Sequence, residues 1–331
     1  MHTNLALVPP VLSSRLLEDY PTGRTIKLSG HSMGTTWTVQ VACEEDPPQL
    51  ERLVQAALQR VIAQMSSWEP DSDLSRFNRA SPGTWRMLPP ECLEVLSCAL
   101  SFAESTQGAY DPSIGALTNL WGFGPAGPRT TRPAAREIDA ARARTGWQQI
   151  KLARDERRLY QPGGIELDLS SIAKGFAVDQ VGRALETRGI THYLVEIGGE
   201  LRGSGCKPDG TPWWVEIEPL EPSQTRTLVA LHELSIATSG DYRRYFERDG
   251  VRYSHTLDPR TGAPVRNDLA AVTVLAPQCM HADALATALH VLGLEDGMQY
   301  AKAHDIAALF TQRRGGRIEQ HFTPAAERLL A

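Results

Sequence analysis

Short strand-like runs alternate with helical patterns through the second half of the chain, and this alternation constrains the fold more than any other feature. The runs YLVEIGGELRG and TLVALHELSIATSG combine β-branched and apolar residues with glycine, as β-strands and their turns do. Helices are predicted over 171–188 and over HADALATALHVLG. Because no repeat at solenoid spacing appears, we predict one α+β domain, with sheets covered by helices and loops gathered at one face.

The first half adds a hairpin and two helices. Alternating and β-branched residues predict a hairpin from Thr25 to Ala42, with its turn between Gly30 and Gly34, as part of the main sheet. Apolar residues three and four positions apart predict a helix over 48–66, and a second helix is expected over 90–106. The predicted divisions are an N-terminal lead (1–24), loose or docked as a helix, a single domain (25–312) and a C-terminal tail (313–331).

Composition narrows the classes of function. The net charge of −5 gives no basic footprint for nucleic acid, so we expect no nucleic-acid partner. No stretch is apolar enough to be predicted as a transmembrane segment. The first residues show neither a basic start followed by an apolar run nor a cysteine that could take a lipid, which predicts a cytoplasmic location.

Five scattered cysteines argue for reduced thiols. They form no CxxC pair and leave one over from any complete pairing, so neither a zinc knuckle nor a disulfide framework is expected. They are Cys43, Cys92, Cys98, Cys206 and Cys279.

The segment LDLSSIAKGFAVD holds the strongest local signal. Asp168 lies near the end of the predicted strand ELDL, and Ser170 or Ser171 stands where a helix N-cap is expected. A helix N-terminus offers unpaired N–H groups and partial positive charge, and Lys174 adds a full charge in the first turn. The segment suits a phosphate, although an ordinary capped helix with a solvated lysine has the same spacing.

A second signal lies in HADALATALHVLG. Asp283 and Thr287 are four residues apart and therefore share one face of the predicted helix. Two oxygen ligands placed in this way suit a hard cation such as magnesium, with phosphate oxygens and waters completing its shell. The alternative is that Asp283 caps the first turn and Thr287 bonds back within the helix.

Three further side chains are candidates for binding or catalysis. His255 stands in a polar, glycine-punctuated segment just before an Asp-Pro turn, which is compatible with a general base or a packed histidine. Trp68 and Trp121 are candidates for exposed rings that stack on a flat ligand, or for lids on the core. The residue patterns alone thus predict a phosphate-and-magnesium site.

Eight segments, taken in order, resemble the ApbE-like FAD:protein FMN transferases. The resemblance extends over nearly the whole chain, from about Ile26 to Phe310. The segments are HSMGTTWTVQ, MSSWEPDSDLSRFN, GAYDPSIGALTNLWGFG, LDLSSIAKGFAVD, VEIGGELRGSG, IATSGDYRRYF, YSHTLDPRTGAPV and ADALATALHVLG.

The resemblance implies a T-fold-like α+β domain that holds FAD beside Mg²⁺, passes FMN to a threonine or serine hydroxyl of an acceptor protein, and releases AMP. It implies metal ligation by the Asp283 and Thr287 side chains and the backbone carbonyl of Ser171. His255 matches the histidine that deprotonates the acceptor hydroxyl. The residues that match FAD contacts are Met33, Trp68, Ala109, Tyr110, Asp111, Asp168, Lys174 and Leu257.

Two features depart from the family pattern. Trp68 stands where the family usually carries tyrosine, and tryptophan also stacks on an isoalloxazine ring. The lipoprotein signal of many members is not seen, so acceptor proteins in the cytoplasm are expected.

Three other functions compete with transfer. An FAD pyrophosphatase would use the same site with water as the nucleophile. A flavin-binding protein would hold FAD without chemistry, although it would not need His255, Asp283 and Thr287 together. Self-modification within HELSIATSG is the third.

Overall fold

The computed structural model describes residues 5–331 except 10–20, 22, 45–46, 130, 222–223, 242–244 and 249–250. The helices are α1 (Pro47–Met65), α2 (Asp73–Asn78), α3 (Pro90–Ser105), α4 (Gly115–Leu120), α5 (Ala135–Arg142), α6 (Ala173–Thr187), α7 (Cys279–Ala303) and α8 (Pro324–Glu327). The strands are β1 (Leu5–Leu7), β2 (Arg24–Ser32), β3 (Thr35–Cys43), β4 (Thr84–Met87), β5 (Lys151–Ala153), β6 (Arg158–Gln161), β7 (Tyr193–Ile197), β8 (Glu200–Ser204), β9 (Trp213–Ile217), β10 (Thr227–Leu231), β11 (Leu234–Gly240), β12 (Tyr245–Arg248), β13 (Val251–Ser254), β14 (Leu257–Asp258), β15 (Ala263–Pro264), β16 (Leu269–Ala276), β17 (Ala307–Arg314) and β18 (Arg317–Phe322).

An eight-stranded antiparallel sheet, in the order β18-β17-β16-β11-β8-β7-β3-β2, forms the centre of the molecule. Helix α7 packs on β11 and β16, α6 packs on β7 and β8, and α1 packs on α6. Successive residues of a strand face opposite sides of a sheet. Ala237 accordingly packs in the core under α7, whereas Ile236 packs with the small sheet β1-β10-β9. The predicted α+β class with helix-covered sheets is confirmed.

The predicted hairpin is present and belongs to the main sheet. Strands β2 and β3 pair from Arg24↔Cys43 to Ser32↔Thr35, and β3 continues the sheet through β7. Met33 and Gly34 form the two-residue connection with φ of 52° and 71°. Positive φ at both positions matches the twist of a two-residue hairpin turn. The tip of this hairpin therefore holds Met33 in a defined place at one edge of the sheet.

The helices predicted in the first half of the chain are confirmed to within one residue at each end. Helix α1 covers 47–65 against the predicted 48–66, and α3 covers 90–105 against 90–106. Helix α7 extends to Ala303, well beyond the predicted end at Gly293, because the helix resumes after a break at that glycine. Gly293 has φ 81°, a conformation that glycine adopts without steric cost.

The start of α6 differs from the prediction. The predicted strand ELDL is only an isolated parallel bridge between Ile114 and Glu166. The side chain of Asn78 takes the place of a neighbouring strand, since its Nδ2 donates to the Leu167 carbonyl at 2.9 Å and its Oδ1 accepts the Leu167 N–H at 2.8 Å. The helix then begins at Ala173, and no serine side chain caps it.

Both ends of the described chain join the fold. The lead is predicted to be loose or helical, but its residues Leu5–Leu7 form a strand that pairs in parallel with β10. Leu7 gains a fully buried position there. The Ala331 N–H donates to the Ala6 carbonyl at 3.0 Å. Within the predicted tail, β18 forms the last strand of the main sheet. The division into lead, domain and tail stays a prediction.

All five cysteines are free thiols, as predicted. Where the structure describes the chain, none of its helices combines the length and the apolar character that crossing a membrane requires. The cytoplasmic location stays a prediction.

The buried histidine of α7 predicts acid sensitivity. His290 is fully buried, and burial lowers its pKa from the ordinary value of 6.5. Below about pH 6.5 the unfolded chain takes up a proton that the folded chain refuses, so stability falls as pH falls from there toward the lowered folded pKa. We expect a loss of up to about 1.4 kcal/mol per pH unit in the free energy of unfolding, measured by urea titration between pH 7.5 and 5.

A His290→Gln variant provides the control, because its side chain does not titrate. The difference between the wild-type and variant stabilities should change over this pH range. A difference that stays constant would contradict the assignment to His290.

Candidate functional site

Helices α6 and α7 cap one another near their N-termini. In α6, Asp179 accepts the first two N–H groups of α7, with Oδ1 3.0 Å from Cys279 N and Oδ2 2.9 Å from Met280 N. In α7, Asp283 Oδ2 accepts the Gly175 N–H, in the first turn of α6, at 2.9 Å. We call these reciprocal contacts the helix clamp. They supply the acceptors that N-terminal N–H groups lack within a helix.

Gly175 allows the two helices to approach closely enough for the helix clamp. A Cβ atom at this position would lie 2.3 Å from the Cys279 carbonyl oxygen and 2.8 Å from Asp283 Cβ. Both distances are far shorter than carbon contacts permit, so any side chain here would push the helices apart.

The helix clamp also changes which groups are available for ligands. Asp283 does not cap its own helix, which contradicts the alternative that a local cap explains it. The Gly175 N–H donates to Asp283 rather than to the carbonyl of Ser171 four residues earlier. The Ser171 carbonyl is thereby left without that helical partner. The Thr287 hydroxyl lies 2.9 Å from Ser239 Oγ on β11, instead of bonding back to its own helix.

Lys174 is not a solvated lysine. Its side chain is mostly buried and forms an ion pair with Glu200, which follows the turn at Gly198 and Gly199. Burial alone would lower the pKa of Lys174, but the carboxylates of Glu200 and Asp283 raise it above the usual value. Burial raises the pKa of Glu200, against the opposing effect of Lys174. Among the described residues, Glu200 Oε2 is buried without a hydrogen-bond partner.

The Ala109–Asp111 turn lies directly against the loop before α6. Ser171 Oγ donates to Tyr110 Oη at 3.2 Å, and burial raises the pKa of that phenol. Asp111 is buried, and both of its oxygens accept hydrogen bonds: Oδ1 from the Ser113 N–H at 2.8 Å and Oδ2 from the Trp147 N–H at 3.0 Å. Asp111 therefore organises the turn that presents Tyr110.

Asp168 lines an open cleft. Its Oδ1 accepts the N–H of Ser170 at 2.9 Å and the hydroxyl of Ser170 at 2.6 Å, so Ser170 orients Asp168 rather than capping α6. The cleft has a volume of ≈ 310 Å³. Its walls are formed by Ser67, Ser75, Asn78, Arg79, Gly115, Thr118, Asn119, Pro125, Ala126, Glu166, Leu167 and Asp168.

The two candidate tryptophans have different environments. Trp68 follows Ser67 of the cleft wall and is 61% exposed, so its ring is available for stacking. Trp121 is 2% exposed, and its Nε1 donates to the Gly262 carbonyl at 2.8 Å. The prediction of an exposed Trp121 is therefore wrong, because its ring is part of an apolar cluster, and the alternative of a core residue holds.

Leu257 belongs to the same apolar cluster as Trp121, and His255 lies beside Phe123, which packs against that cluster. The Phe123 ring packs edge-on against the half-buried His255 ring, with centroids 6.3 Å apart, and Leu257 is buried. Helix α4 connects this cluster to the cleft, because Leu117 packs in the same apolar cluster as Leu257 while the neighbouring Thr118 lines the cleft.

The hairpin tip that carries Met33 lies beside the glycine turn before Glu200. The Gly198 N–H donates to the Thr36 carbonyl at 3.1 Å. Gly198 and Gly199 have φ of 65° and 103°, so glycine is required in this turn. The start of β3 and the end of β7 thus share one end of the sheet, where Glu200 meets Lys174.

Four residues near the site were missed by sequence reasoning: Asp179, Glu200, Arg202 and Ser239. Glu200 and Arg202 follow the paired glycines of VEIGGELRG, a signal that marks a tight turn but not a partner. Asp179 closes the motif LDLSSIAKGFAVD, and Ser239 stands in the polar segment before His255. Their positions in or beside the motifs could have marked them as candidate site residues. Their contacts could not be predicted from the local sequence.

The chain belongs to the ApbE family, whose model matches residues 33–310. It is 41% identical over 294 residues to the FAD:protein FMN transferase of Vibrio cholerae serotype O1, covering 86% of each chain. It is also similar to the apo crystal structure of the flavinyl transferase ApbE of Pseudomonas stutzeri, with 41% identity, a TM-score of 0.87 and coverage of 92% and 96% of the two chains. For the flavin transferase ApbE of Vibrio cholerae the TM-score is 0.86 at 37% identity, with coverage of 92% and 98%.

The predicted family and its fold are therefore confirmed, as is membership in a class of flavin-transferring enzymes. The individual site residues stay predictions. Four of them lie close together in the structure: Tyr110, Ser171, Lys174 and Asp283.

The close approach of α6 and α7 predicts the effect of one methyl group. Gly175→Ala should lower the free energy of unfolding by roughly 1–3 kcal/mol, because the new Cβ would overlap the Cys279 carbonyl. Alanine is otherwise favoured over glycine in a helix by about 1 kcal/mol, so propensity alone predicts the opposite sign. Urea unfolding measures the difference.

Gln180→Ala, at a partly exposed position of the same helix, is the matched control and should change the stability little. A Gly175→Ala protein more stable than the wild type would show that the helices do not depend on this contact.

Proposed function

We propose that this chain transfers FMN from FAD to a threonine or serine hydroxyl of an acceptor protein and releases AMP, with Mg²⁺ bound at the N-terminal turns of α6 and α7. The names of the relatives support FAD and a protein as the two substrates. The observation that carries the proposal is the helix clamp, since it brings the Asp283 carboxylate next to Lys174 and leaves the Ser171 carbonyl without its helical partner.

The residues present fit magnesium. The proposed ligands are Asp283, Thr287 and the Ser171 carbonyl, all of them hard oxygen donors of the kind Mg²⁺ prefers. Since Asp283 Oδ2 is engaged in the helix clamp, Oδ1 is the oxygen available to the ion. The buried Glu200 carboxyl group lies near Asp283, and its Oε2 has no partner in the described part of the chain.

A mixed ligand set is consistent with the rest of the described structure. Within the described ranges, no three His, Cys, Asp or Glu side chains gather as a metal cluster. A site of few protein ligands leaves positions for substrate phosphates and water, which is how proteins usually bind Mg²⁺. When bound, the ion would polarise the phosphoryl oxygens and neutralise charge on the departing AMP.

The chain's own residues supply the rest of the FAD site. The Lys174 ammonium, in the first turn of α6, places positive charge where a pyrophosphate would bind. Asp168 lines the cleft, where a ribose would bind, and the exposed Trp68, which follows Ser67 of the cleft wall, would stack on a flat ring. The tip at Met33, the turn at Tyr110, and Leu257 complete the set of predicted FAD contacts.

His255 is the proposed general base. The hydroxyl of the acceptor is a weak nucleophile until a base removes its proton. The hydroxyl oxygen would attack the FMN phosphorus as its bond to the AMP oxygen breaks, while the proton passes to the His255 ring and the released AMP carries the negative charge. Packing against Phe123 restricts the orientation of that ring.

Intact-protein mass spectrometry of an acceptor domain incubated with enzyme, FAD and Mg²⁺ tests the proposal. The wild type should add one FMN to the acceptor, and chelation should stop the reaction. Asp283→Asn should abolish both FAD cleavage and transfer, because a neutral amide is a poor ligand for Mg²⁺. His255→Gln should lower transfer by about 10²–10⁴-fold, the usual contribution of a general base, while FAD binding is retained.

Two exposed residues provide matched controls. Asp296→Asn, on α7, and His304→Gln, just after it, should leave transfer unchanged. Free FMN and AMP with an unmodified acceptor would instead support a pyrophosphatase, and intact FAD would support a flavin-binding protein. A fully active Asp283→Asn enzyme would contradict the metal site.

A further inference from the structure

The helix clamp is supported by further contacts, made by residues that are not among the proposed metal ligands. Arg202, on β8, donates from Nη1 to Asp179 Oδ1 at 3.0 Å and to the Pro277 carbonyl at 3.3 Å. Pro277 stands just before α7. The same side chain therefore holds both the capping carboxylate and the backbone that leads into the helix.

Arg202 is itself fixed by two neighbours. Its Nε donates to Tyr193 Oη at 3.1 Å, and its Nη2 lies 3.5 Å from Glu186 Oε1. Tyr193 Oη donates to the same Glu186 oxygen at 2.5 Å. The arginine side chain is 19% exposed and Asp179 is 1% exposed, so these charges are largely removed from water. Buried charge pairs of this kind fix geometry, because a displaced partner leaves an unpaired charge.

These contacts act on α7 one turn before the proposed ligands. Asp179 binds the N–H groups of Cys279 and Met280, and Asp283 follows on the next turn, with Thr287 one turn further. A helix is rigid over this length, so its first turn determines where the later side chains lie. Displacement at Cys279 would also remove the contact between Asp283 and Gly175.

We propose that Asp179 and Arg202 are positioning residues for the metal: they hold α7 so that Asp283, Thr287 and the Ser171 carbonyl share one cation. This inference rests on the proposed function. Neither residue touches the ion; Asp179 acts through the N-terminus of α7, and Arg202 acts through Asp179. Outer contacts of this kind typically change metal affinity by about 10–100-fold.

The test is a Mn²⁺ titration of the protein, alone and with FAD present, with the unbound ion followed by electron paramagnetic resonance. Asp179→Asn and Arg202→Met should each weaken Mn²⁺ binding by roughly 10–100-fold. Arg202→Lys keeps the charge but loses the forked geometry, so its affinity should lie between those of Arg202→Met and the wild type. Saturating Mg²⁺ should restore the transfer rate of each variant to within about twofold of the wild type, because a loss of affinity is overcome by concentration.

Arg183→Met is the matched control. Arg183 lies on α6, as Asp179 does, and it pairs with the carboxylate of Glu94 at 2.9 Å. This pair is at the exposed surface, away from the start of α7. Its Mn²⁺ affinity should equal that of the wild type. Urea unfolding of every variant separates a loss of metal affinity from a loss of fold.

The outcomes distinguish this inference from the proposed function. Folded Arg202→Met and Asp179→Asn proteins that bind Mn²⁺ like the wild type would overturn the inference and leave the proposed function standing. A wild-type protein that binds no Mn²⁺, either alone or with FAD present, would overturn both. If Asp179→Asn does not fold, the two Arg202 variants decide, and Mn²⁺ affinities of Arg202→Lys and Arg202→Met that both equal the wild-type affinity would overturn the role of the arginine.

Discussion

The site depends on how closely α6 and α7 approach at Gly175. Because this residue has no side chain, the Asp283 carboxylate reaches the first turn of α6, and Asp179 reaches the first turn of α7. Each helix thereby receives an acceptor for N–H groups that it cannot satisfy alone. The loop before α6, the Tyr110 turn and the charged pair of Lys174 and Glu200 are all arranged around this contact.

Burial makes the charges at this contact depend on one another. An isolated charge is costly in the interior of a protein, so Lys174 stays charged because Glu200 and Asp283 lie nearby. The two carboxyl groups outnumber the single ammonium in this group and supply oxygen donors for the proposed cation. The same arrangement places the lysine beside the N-terminus of α6, where phosphate oxygens would bind. One cluster thus contains the residues proposed to hold both the metal ion and the phosphate.

The remaining part of the site comes from a different region of the fold. His255 stands on a turn next to an apolar cluster that includes Trp121 and Leu257, and α4 joins this cluster to the cleft. The proposed base is thus carried by the apolar cluster, whereas the proposed metal ligands are carried by the helix clamp. The division suits a transfer reaction, in which one region holds the donor and another activates the acceptor.

The local sequence determined the helices and the hairpin, because periodicity and turn residues act over a few positions. The ordered motifs of the sequence identified the family and indicated Asp283 and Thr287 as candidate ligands. Only the tertiary structure decided the partners of these residues. Asp179 caps a helix that begins 100 residues later, and Asn78 holds a backbone segment 89 residues away. Trp121 looked available for a ligand but is buried, and Leu5–Leu7 pairs as a strand. Such contacts join segments that are distant along the chain, and the energy of burial and pairing that fixes them leaves no local pattern.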